Sequence, residues 1–294
     1  MAISKVGVLG CGLMGHGISQ ICAQQGWDVV VREIDQAQLD KGMGKIEKQL
    51  ARAVEKGRME QSDADAVRGR ITPTLEYSDL ADCDLVIEAI TEDLDRKLEM
   101  WREVDELVKD DAYLATNTSS LSVATQADAT KRPERMIGLH FFNPPQVMPL
   151  LEVVRADDSA DDAVALGFEI GEALGKTTVA AGDNRGFIVN RLLVPYMLDA
   201  IRAHEEGVGS IEDIDTGMLA GASHPMGPLT LADFVGLDTL SAIADVMVDA
   251  YGEDRFAAPD TLQKMVGAGD FGRKSGKGFY DYSGDQPVPV DAGN

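Results

Sequence analysis

The sequence predicts an α/β protein in which a doubly wound, mostly parallel sheet is followed by an all-helical C-terminal domain. Short apolar segments alternate with amphipathic or charged helical segments as far as about residue 182. This alternation is typical of parallel strands joined by helices. After Asp183, helical patterns follow one another without a strand pattern between them. A glycine-rich turn directly after the first strand is the third observation, and it indicates the kind of sheet.

The elements of the first half are read from the spacing of apolar residues. Residues 6–9 form a short apolar strand, and residues 13–25 form a helix with Ile18 and Ile21 on one face. Gly26 ends that helix as a left-handed C-cap. The other predicted strands are 29–31, 85–87, 113–115, 136–141, 150–154 and 177–179. The other predicted helices are 36–57, 63–70, 93–108 and 161–174.

The glycine-rich turn joins the first predicted strand to the first predicted helix. Gly10 allows the tight turn, Gly12 lets a pyrophosphate approach the backbone, and Gly15 lets the helix pack on the strand. Leu13 and Met14 complete the turn, and the free amides of the helix N-terminus face the phosphates. The motif in this position predicts a Rossmann-type dinucleotide-binding domain. The alternative is a merely tight strand–helix turn.

The end of the second predicted strand indicates which dinucleotide binds. Glu33 is the acid expected about 20 residues after the glycines, where it holds the adenosine ribose hydroxyls. Asp35 is interpreted as a solvated helix cap. A carboxylate repels the 2′-phosphate of NADP, whereas the neighbouring Arg32 could accept that phosphate. The sequence therefore favours NAD, with NADP as the less favoured alternative.

Two domains follow from the change of pattern. Residues 1–183 are predicted to form the NAD-binding domain, and residues 184–283 the helical domain, with a polar linker at 182–186. Residues 284–294 are rich in Pro, Gly and Asp and are predicted to be a flexible tail. The predicted helices of the second domain are 190–206, 211–220, 229–251 and 260–266.

Composition restricts the partners and the compartment. The formal net charge of −23 repels nucleic acid and anionic membranes, so neither is expected as a partner. The sequence has no run of about 18 apolar residues and no tripartite signal at its N-terminus. Cys11, Cys22 and Cys83 lack metal-ligand spacing and are expected to be free thiols. These features predict a cytoplasmic protein without a metal.

Histidine is the expected catalytic group. Oxidation of an alcohol by hydride transfer needs a base for the hydroxyl proton, and histidine suits this at neutral pH. His16, His204 and His224 are interpreted as surface or capping residues. His140 differs because it follows an apolar strand at the carboxyl edge of the sheet, where ligands of doubly wound folds bind. The sequence therefore predicts His140 as the base.

Glu152 lies inside the apolar segment 150–154, where an unpaired acid is costly to bury. Two interpretations stay open: an outward-facing residue on an edge strand, or a partner that fixes the tautomer of His140 and stabilises its imidazolium. Residues 117–120 close another strand. Their small polar side chains could bind a substrate oxygen, or a serine there or at Ser122 could cap the next helix.

Several motifs stand in an order typical of one enzyme family. They are residues 10–15, 117–121, 138–144, 183–191, 224–228 and 276–280. Up to about Tyr282 the chain resembles the 3-hydroxyacyl-CoA dehydrogenases, especially the short bacterial members that act on 3-hydroxybutyryl-CoA. The resemblance implies reversible, NAD-dependent oxidation of a short-chain (S)-3-hydroxyacyl-CoA to the 3-oxoacyl-CoA.

The resemblance also implies roles for single residues. His140 would be the base and Glu152 its orienting partner. Ser119 and Asn190 would hydrogen-bond the substrate oxygens, with Asn190 entering from the second domain and Ser119 also close to the nicotinamide. The residues implied around the NAD are Glu33, Glu92, Lys97, Asn143 and Lys274.

The CoA contacts depart from the family pattern. Family members often carry several lysines on the helix that meets the CoA phosphates, but Val54 and Glu55 stand in that segment here. Arg52 and Lys56 are the candidates for substrate binding. The resemblance also implies a homodimer formed through the helical domain.

Two other functions are weighed against this one. A reductase of small free 3-hydroxy acids would use a lysine in the helical domain, and the predicted helix 190–206 contains none. A non-catalytic dinucleotide-binding scaffold, related to a lens crystallin, would not need Ser119, His140, Glu152 and Asn190 together.

Overall fold

The computed structural model describes residues 3–290, and its first half is built on an eight-stranded sheet. The strands are β1 (Lys5–Leu9), β2 (Asp28–Arg32), β3 (Ile71–Thr74), β4 (Leu85–Glu88), β5 (Tyr113–Thr116), β6 (Met136–Phe141), β7 (Leu150–Arg155) and β8 (Thr177–Gly182). Their order is β3-β2-β1-β4-β5-β6-β7-β8. Neighbouring strands are parallel except for the antiparallel pair β6 and β7. The predicted doubly wound, mostly parallel sheet is confirmed.

Helices cover both faces of this sheet. They are α1 (Gly15–Gln24), α2 (Gln36–Glu55), α3 (Gln61–Gly69), α4 (Leu94–Leu107), α5 (Val123–Ala127) and α6 (Asp161–Ala173). Side chains alternate between faces along a strand, so Val29 and Val31 join one apolar cluster while Val30 joins the other. Ile18 and Ile46 pack in the first cluster, and Trp101 in the second. Burial on both faces explains why the strands read as continuous apolar runs.

The chain divides into two compact units between Phe187 and Ile188. The second unit contains α7 (Val189–Glu205), α8 (Ile211–Gly221), α9 (Pro228–Val235), α10 (Leu237–Tyr251) and α11 (Asp260–Ala268). These helices enclose a core of their own, which includes Met197, Leu240 and Phe256. In the described residues, no helix is long and apolar enough to cross a bilayer.

Two details of the prediction are wrong. Strand β3 was missed because it is a short edge strand that contains Pro73, which only an edge tolerates. The single helix predicted over 229–251 is two helices, because Gly236 adopts a φ of 99° between α9 and α10. The helical C-terminal region is confirmed, and it is followed by a short strand pair of β9 (Tyr280–Asp281) and β10 (Val288–Pro289).

The strand pair also involves residues of the predicted tail. Residues 288–289 form β10 and pair with residues 280–281 of β9. Val290 continues the contact, because its amide donates to the carbonyl of Phe279. Residues 291–294 lie outside the described residues.

Candidate active site

His140 and Glu152 face each other across the antiparallel pair β6 and β7. The register makes them direct partners, which brings their side chains to one face of the sheet. The Nδ1 of His140 lies 2.6 Å from Oε2 of Glu152. Glu152 is fully buried, and β7 is an interior strand, so an outward-facing edge position is ruled out. The structure therefore brings together two residues whose pairing the sequence spacing left open.

This contact decides which nitrogen of His140 is available for chemistry. A carboxylate only accepts hydrogen bonds, so Nδ1 carries a proton and donates it to Glu152. In the neutral ring, Nε2 is then the acceptor. The ring packs against apolar neighbours, with centroid distances of 4.6 Å to Phe142 and 5.5 Å to Phe187. These contacts hold one ring orientation and one tautomer.

The glycine-rich turn has the geometry of a dinucleotide cradle. Gly10 has a φ of 93°, and a Cβ there would lie 2.7 Å from the carbonyl oxygen of Ala89. A Cβ on Gly15 would lie 1.8 Å from the carbonyl oxygen of Gly10. A Cβ on Gly12 would meet nothing within 4 Å. Gly10 and Gly15 are therefore required by the fold, whereas Gly12 faces open space in which a pyrophosphate fits.

Glu33 is fixed beside this turn by two backbone amides. Its Oε1 accepts from the amide of Cys11 at 2.7 Å, and its Oε2 accepts from the amide of Ile34 at 2.9 Å. Leu13 in the turn is 63% exposed, and Ile34, which follows Glu33, is 73% exposed. Met14 is half-buried in the same turn. The turn and Glu33 thus form a site that suits an adenosine ribose and its phosphates.

The carboxylate of Glu92 accepts several hydrogen bonds from the residues that follow β5. Its Oε1 accepts from the Thr118 hydroxyl at 2.5 Å and from the amides of Ser119 and Ser120 at 2.9 and 3.1 Å. Burial would raise the pKa of Glu92, but the charge of Lys97 and these hydrogen bonds outweigh it and hold the pKa below its usual value. Ser119 is held with its side chain half-buried and accessible.

Lys97 lies behind Glu92 and not at an open surface. Its side chain is 1% exposed, and its Nζ lies 2.6 Å from Glu88 and 3.1 Å from Glu92. Two carboxylates therefore surround the charge of Lys97, and the contact with the cofactor that the resemblance implies for this residue stays a prediction. Lys97 acts by neutralising Glu88 and Glu92, and Thr116 supports it by donating its hydroxyl to Glu88 at 2.6 Å.

The other predicted residues of the first unit are accessible. Asn143 is exposed just beyond the end of β6. Arg52 and Lys56 are exposed at the C-terminal end of α2, where basic side chains complement the helix dipole. Ser122 caps α5, because its hydroxyl accepts from the amide of Thr125 at 3.1 Å. The capping interpretation thus applies to Ser122.

The second unit carries Asn190 and Lys274. Asn190 lies half-buried in the first turn of α7. Lys274 is paired with Asp238, with a separation of 2.7 Å between Nζ and Oδ2. The roles that the family resemblance implies for Asn190 and Lys274 stay predictions.

The three other histidines have different surroundings. His224 lies 2.9 Å from the Tyr196 hydroxyl through Nδ1, and His204 lies 3.4 Å from the carbonyl of Gly209. His16 is 7% exposed, so a surface position is wrong for it. Its ring contacts the glycine-rich turn.

The contacts of two supporting side chains were not predicted from the sequence. Glu88 ends a buried strand and pairs with Lys97; its signal was an acid beside Ile87 in an apolar run. Asn117 accepts the amide of Phe141 at 3.0 Å through Oδ1 and so fixes the backbone next to His140. No local pattern indicates that bond, because its two partners are 24 residues apart.

Comparison with known proteins identifies the family. Residues 5–184 match the 3-hydroxyacyl-CoA dehydrogenase NAD binding domain, and residues 186–282 match the C-terminal domain of the same enzymes. The chain belongs to the 3-hydroxyacyl-CoA dehydrogenase family. The resemblance seen in the motifs is thereby confirmed over the length of both domains.

Individual relatives of this dehydrogenase are similar over nearly their full length. A 3-hydroxybutyryl-CoA dehydrogenase of Mycobacterium tuberculosis is 47% identical over 96% of this chain and 99% of its own. A 3-hydroxybutyryl-CoA dehydrogenase of Clostridioides difficile is 41% identical over 95% of this chain and 99% of its own. The crystal structure of (S)-3-hydroxybutyryl-CoA dehydrogenase from Ralstonia eutropha matches with a TM-score of 0.92 and 38% identity, covering 96% of this chain and 100% of that one.

The family establishes a nicotinamide dinucleotide as the cofactor of this dehydrogenase, and the glycines allow a direct test. We expect Gly12→Ala to keep wild-type thermal stability and to raise the NADH dissociation constant at least about tenfold, because the new methyl occupies the ligand's space. Gly15→Ala should instead destabilise the fold by about 3 kcal/mol, since its methyl meets a backbone carbonyl. Thermal melting and NADH fluorescence titration measure the two effects. Equal loss of stability in both variants would contradict the assignment.

Proposed function

We propose that this dehydrogenase reversibly oxidises short-chain (S)-3-hydroxyacyl-CoA, with 3-hydroxybutyryl-CoA as its reference substrate, to the 3-oxoacyl-CoA. The observation that carries the proposal is the 2.6 Å contact between His140 and Glu152 at the carboxyl edge of a sheet that also bears the glycine-rich turn. The names of the full-length relatives support the substrate.

His140 is the proposed base. Its Nε2 accepts the proton of the 3-hydroxyl while Nδ1 keeps its bond to Glu152. When bound, the nicotinamide supplies the acceptor for the hydride of C3. Glu152 is buried beside the imidazolium that forms, and its negative charge stabilises that cation. In the reverse direction His140 returns the proton to the oxygen.

Ser119 and Asn190 are the proposed hydrogen-bond partners of the substrate oxygens. The amide and the hydroxyl of Ser119 are both oriented by Glu92, at 2.9 and 3.4 Å from Oε1. Asn190 offers an amide with two donors and one acceptor. We propose that Glu92, Lys97, Asn143 and Lys274 complete the cofactor site, in keeping with the family resemblance.

NAD is the proposed form of the cofactor. Glu33 supplies a negative charge where the 2′-phosphate of NADP would lie. Arg32, the residue that could offset that charge, is engaged elsewhere: its Nε donates to the Leu75 carbonyl at 3.1 Å, and its guanidinium stacks on the Tyr77 ring at 3.9 Å. Both features support NAD over NADP.

The proposed function is tested by steady-state kinetics with acetoacetyl-CoA. We expect NADH to be oxidised with a kcat/KM at least about tenfold higher than NADPH, because Glu33 opposes the additional phosphate. A free 3-oxo acid and a longer acyl-CoA serve as the comparison substrates. Absence of activity with acetoacetyl-CoA, or a preference for the free acid, would refute the proposal, whereas equal use of NADPH would refute only the choice of cofactor.

Arg52 and Lys56 are the proposed contacts for the CoA phosphates. They are exposed at one end of α2, in a protein whose formal net charge is −23. An anionic substrate therefore needs such a local positive patch.

A homodimer through the second unit is also proposed. Large apolar side chains lie open there, with Leu192 68%, Phe234 52% and Leu219 43% exposed. Leu192 and Phe234 line a cavity of about 650 Å³ with Tyr196 and Met226. A contiguous apolar face of this kind is typical of a protein–protein contact.

We propose a cytoplasmic location, which the cysteines support. Cys11, Cys22 and Cys83 are buried free thiols, and burial raises the pKa of each to about 12. Such thiols are unreactive and are typical of a reducing compartment.

A further inference from the structure

His16 contacts the glycine-rich turn from inside α1. Its Nδ1 lies 2.6 Å from the carbonyl oxygen of Gly12. A carbonyl only accepts hydrogen bonds, so Nδ1 carries the proton. The carbonyl of Gly12 and the amide of Leu13 belong to one peptide plane and point in opposite directions in its trans form. The imidazole therefore controls the orientation of an amide in the cofactor turn.

Three side chains form a hydrogen-bonded chain that ends on this carbonyl. The Nε2 of His16 accepts from the amide of Gln49 in α2 at 3.2 Å. Gln49 in turn accepts through Oε1 from the amide of Gln146 at 2.6 Å. His16 and Gln49 each donate toward Gly12 and accept from the opposite side, and Gln146 is the first donor of the series. Only the tautomer of His16 with its proton on Nδ1 satisfies both contacts.

The other end of this series of hydrogen-bonded side chains lies between β6 and β7. Gln146 lies in the connection between β6 and β7, three positions after Asn143. Gly17 allows the close approach, because a Cβ there would lie 2.8 Å from Oε1 of Gln146. Lys176 holds the same connection by donating to the carbonyls of Pro145 and Met148 at 2.5 and 2.8 Å. The connection that carries Gln146 is thus held in place by Lys176.

We propose that His16 is a positioning residue for cofactor binding, which sets the Gly12–Leu13 peptide through Nδ1 and is itself held by Gln49 and Gln146. This inference rests on the proposed function, since it assumes that the turn binds NAD. The bond to Gly12 polarises the peptide, and hydrogen bonds in series strengthen one another, so the Leu13 amide becomes a better donor to the pyrophosphate.

The surroundings of His16 keep the ring neutral, as this role requires. Burial lowers the pKa of His16; the bond to Gly12 opposes this change, and the charge of Lys45 adds to it. A protonated ring would direct an N–H at the amide group of Gln49 and break the chain.

The test compares NADH binding and turnover in variants of the full-length enzyme. His16→Leu should raise the NADH dissociation constant about tenfold, the worth of one hydrogen bond, while kcat at saturating substrates stays within about twofold. Gln49→Leu should raise the constant about threefold, because the His16 ring loses its support. His16→Asn keeps a donor near the Nδ1 position, so its rise should be about twofold to threefold. In the His16→Leu background, Gln49→Leu should add nothing.

Gln61→Leu is the matched control, because this exposed glutamine of α3 bonds only within its own helix, to Asp65. Fluorescence titration gives the dissociation constant, and thermal melting shows whether each variant is folded. An unchanged constant in His16→Leu and in His16→Asn, or additive effects in the double variant, would overturn the inference. Failure of the wild-type enzyme to bind NADH would instead refute the proposed function.

Discussion

Replacement of His140 by glutamine is expected to lower turnover by about two to four decades while NADH binds with nearly its normal affinity. Glutamine offers neither a base near neutral pH nor a group that becomes positive beside Glu152. It is close in size to the imidazole, so the apolar surroundings formed by Phe142 and Phe187 stay filled. The NADH absorbance assay with acetoacetyl-CoA measures the loss.

The control for this variant is His204→Gln. His204 lies in the last turn of α7, where its Nδ1 is 3.4 Å from a backbone carbonyl, and its replacement should leave turnover at the wild-type level. Fluorescence titration of NADH separates loss of chemistry from loss of cofactor binding. Turnover near the wild-type rate in His140→Gln would refute the assignment of the base.

Glu152→Gln is expected to lower turnover by about two to three decades. The amide has nearly the same shape as the carboxylate, but it removes the charge that stabilises the imidazolium. Its NH₂ group can also face Nδ1 of His140 and select the tautomer with the proton on Nε2, which cannot accept the substrate proton. Because Glu152 is fully buried, thermal melting must show that the variant remains folded.

A double variant sharpens this second prediction. If Glu152 acts through His140, the combination of His140→Gln and Glu152→Gln should be no slower than the slower single variant. Glu169→Gln on the exposed face of α6 is the matched control for loss of one carboxylate. Multiplicative effects in the double variant, or full turnover in Glu152→Gln, would contradict the proposed partnership.

The positions of His140 and Glu152 show how much local sequence patterns can predict. An acid inside an apolar strand indicated that Glu152 needed a partner, and the end of an apolar strand marked His140. The register that places them opposite each other depends on the antiparallel pairing of β6 with β7, and the two interpretations were equally compatible with the sequence. Pairing is a property of two strands, so a single strand's pattern cannot specify it.

Lys97 shows the same limit. The sequence analysis did not predict that Glu88 and Glu92 enclose this lysine, whereas the cofactor contact implied by the family resemblance stays a prediction. Glu88 was missed because its strand was interpreted from its apolar residues alone. Gln49 and Gln146, 97 residues apart, meet only because α2 and the β6–β7 connection pack together.

The sequence by itself determined the class of sheet, the glycine-rich turn and the family, and it singled out His140 as the proposed base. Those features depend on local rules: apolar periodicity, glycines that permit a turn, and a motif order shared by relatives. Only the tertiary structure decided which buried polar groups meet, because Glu152 meets His140 through strand pairing and His16 meets Gln49 of another helix. A buried polar group is stable only with a partner, and the fold, not the neighbouring residues in the chain, supplies that partner.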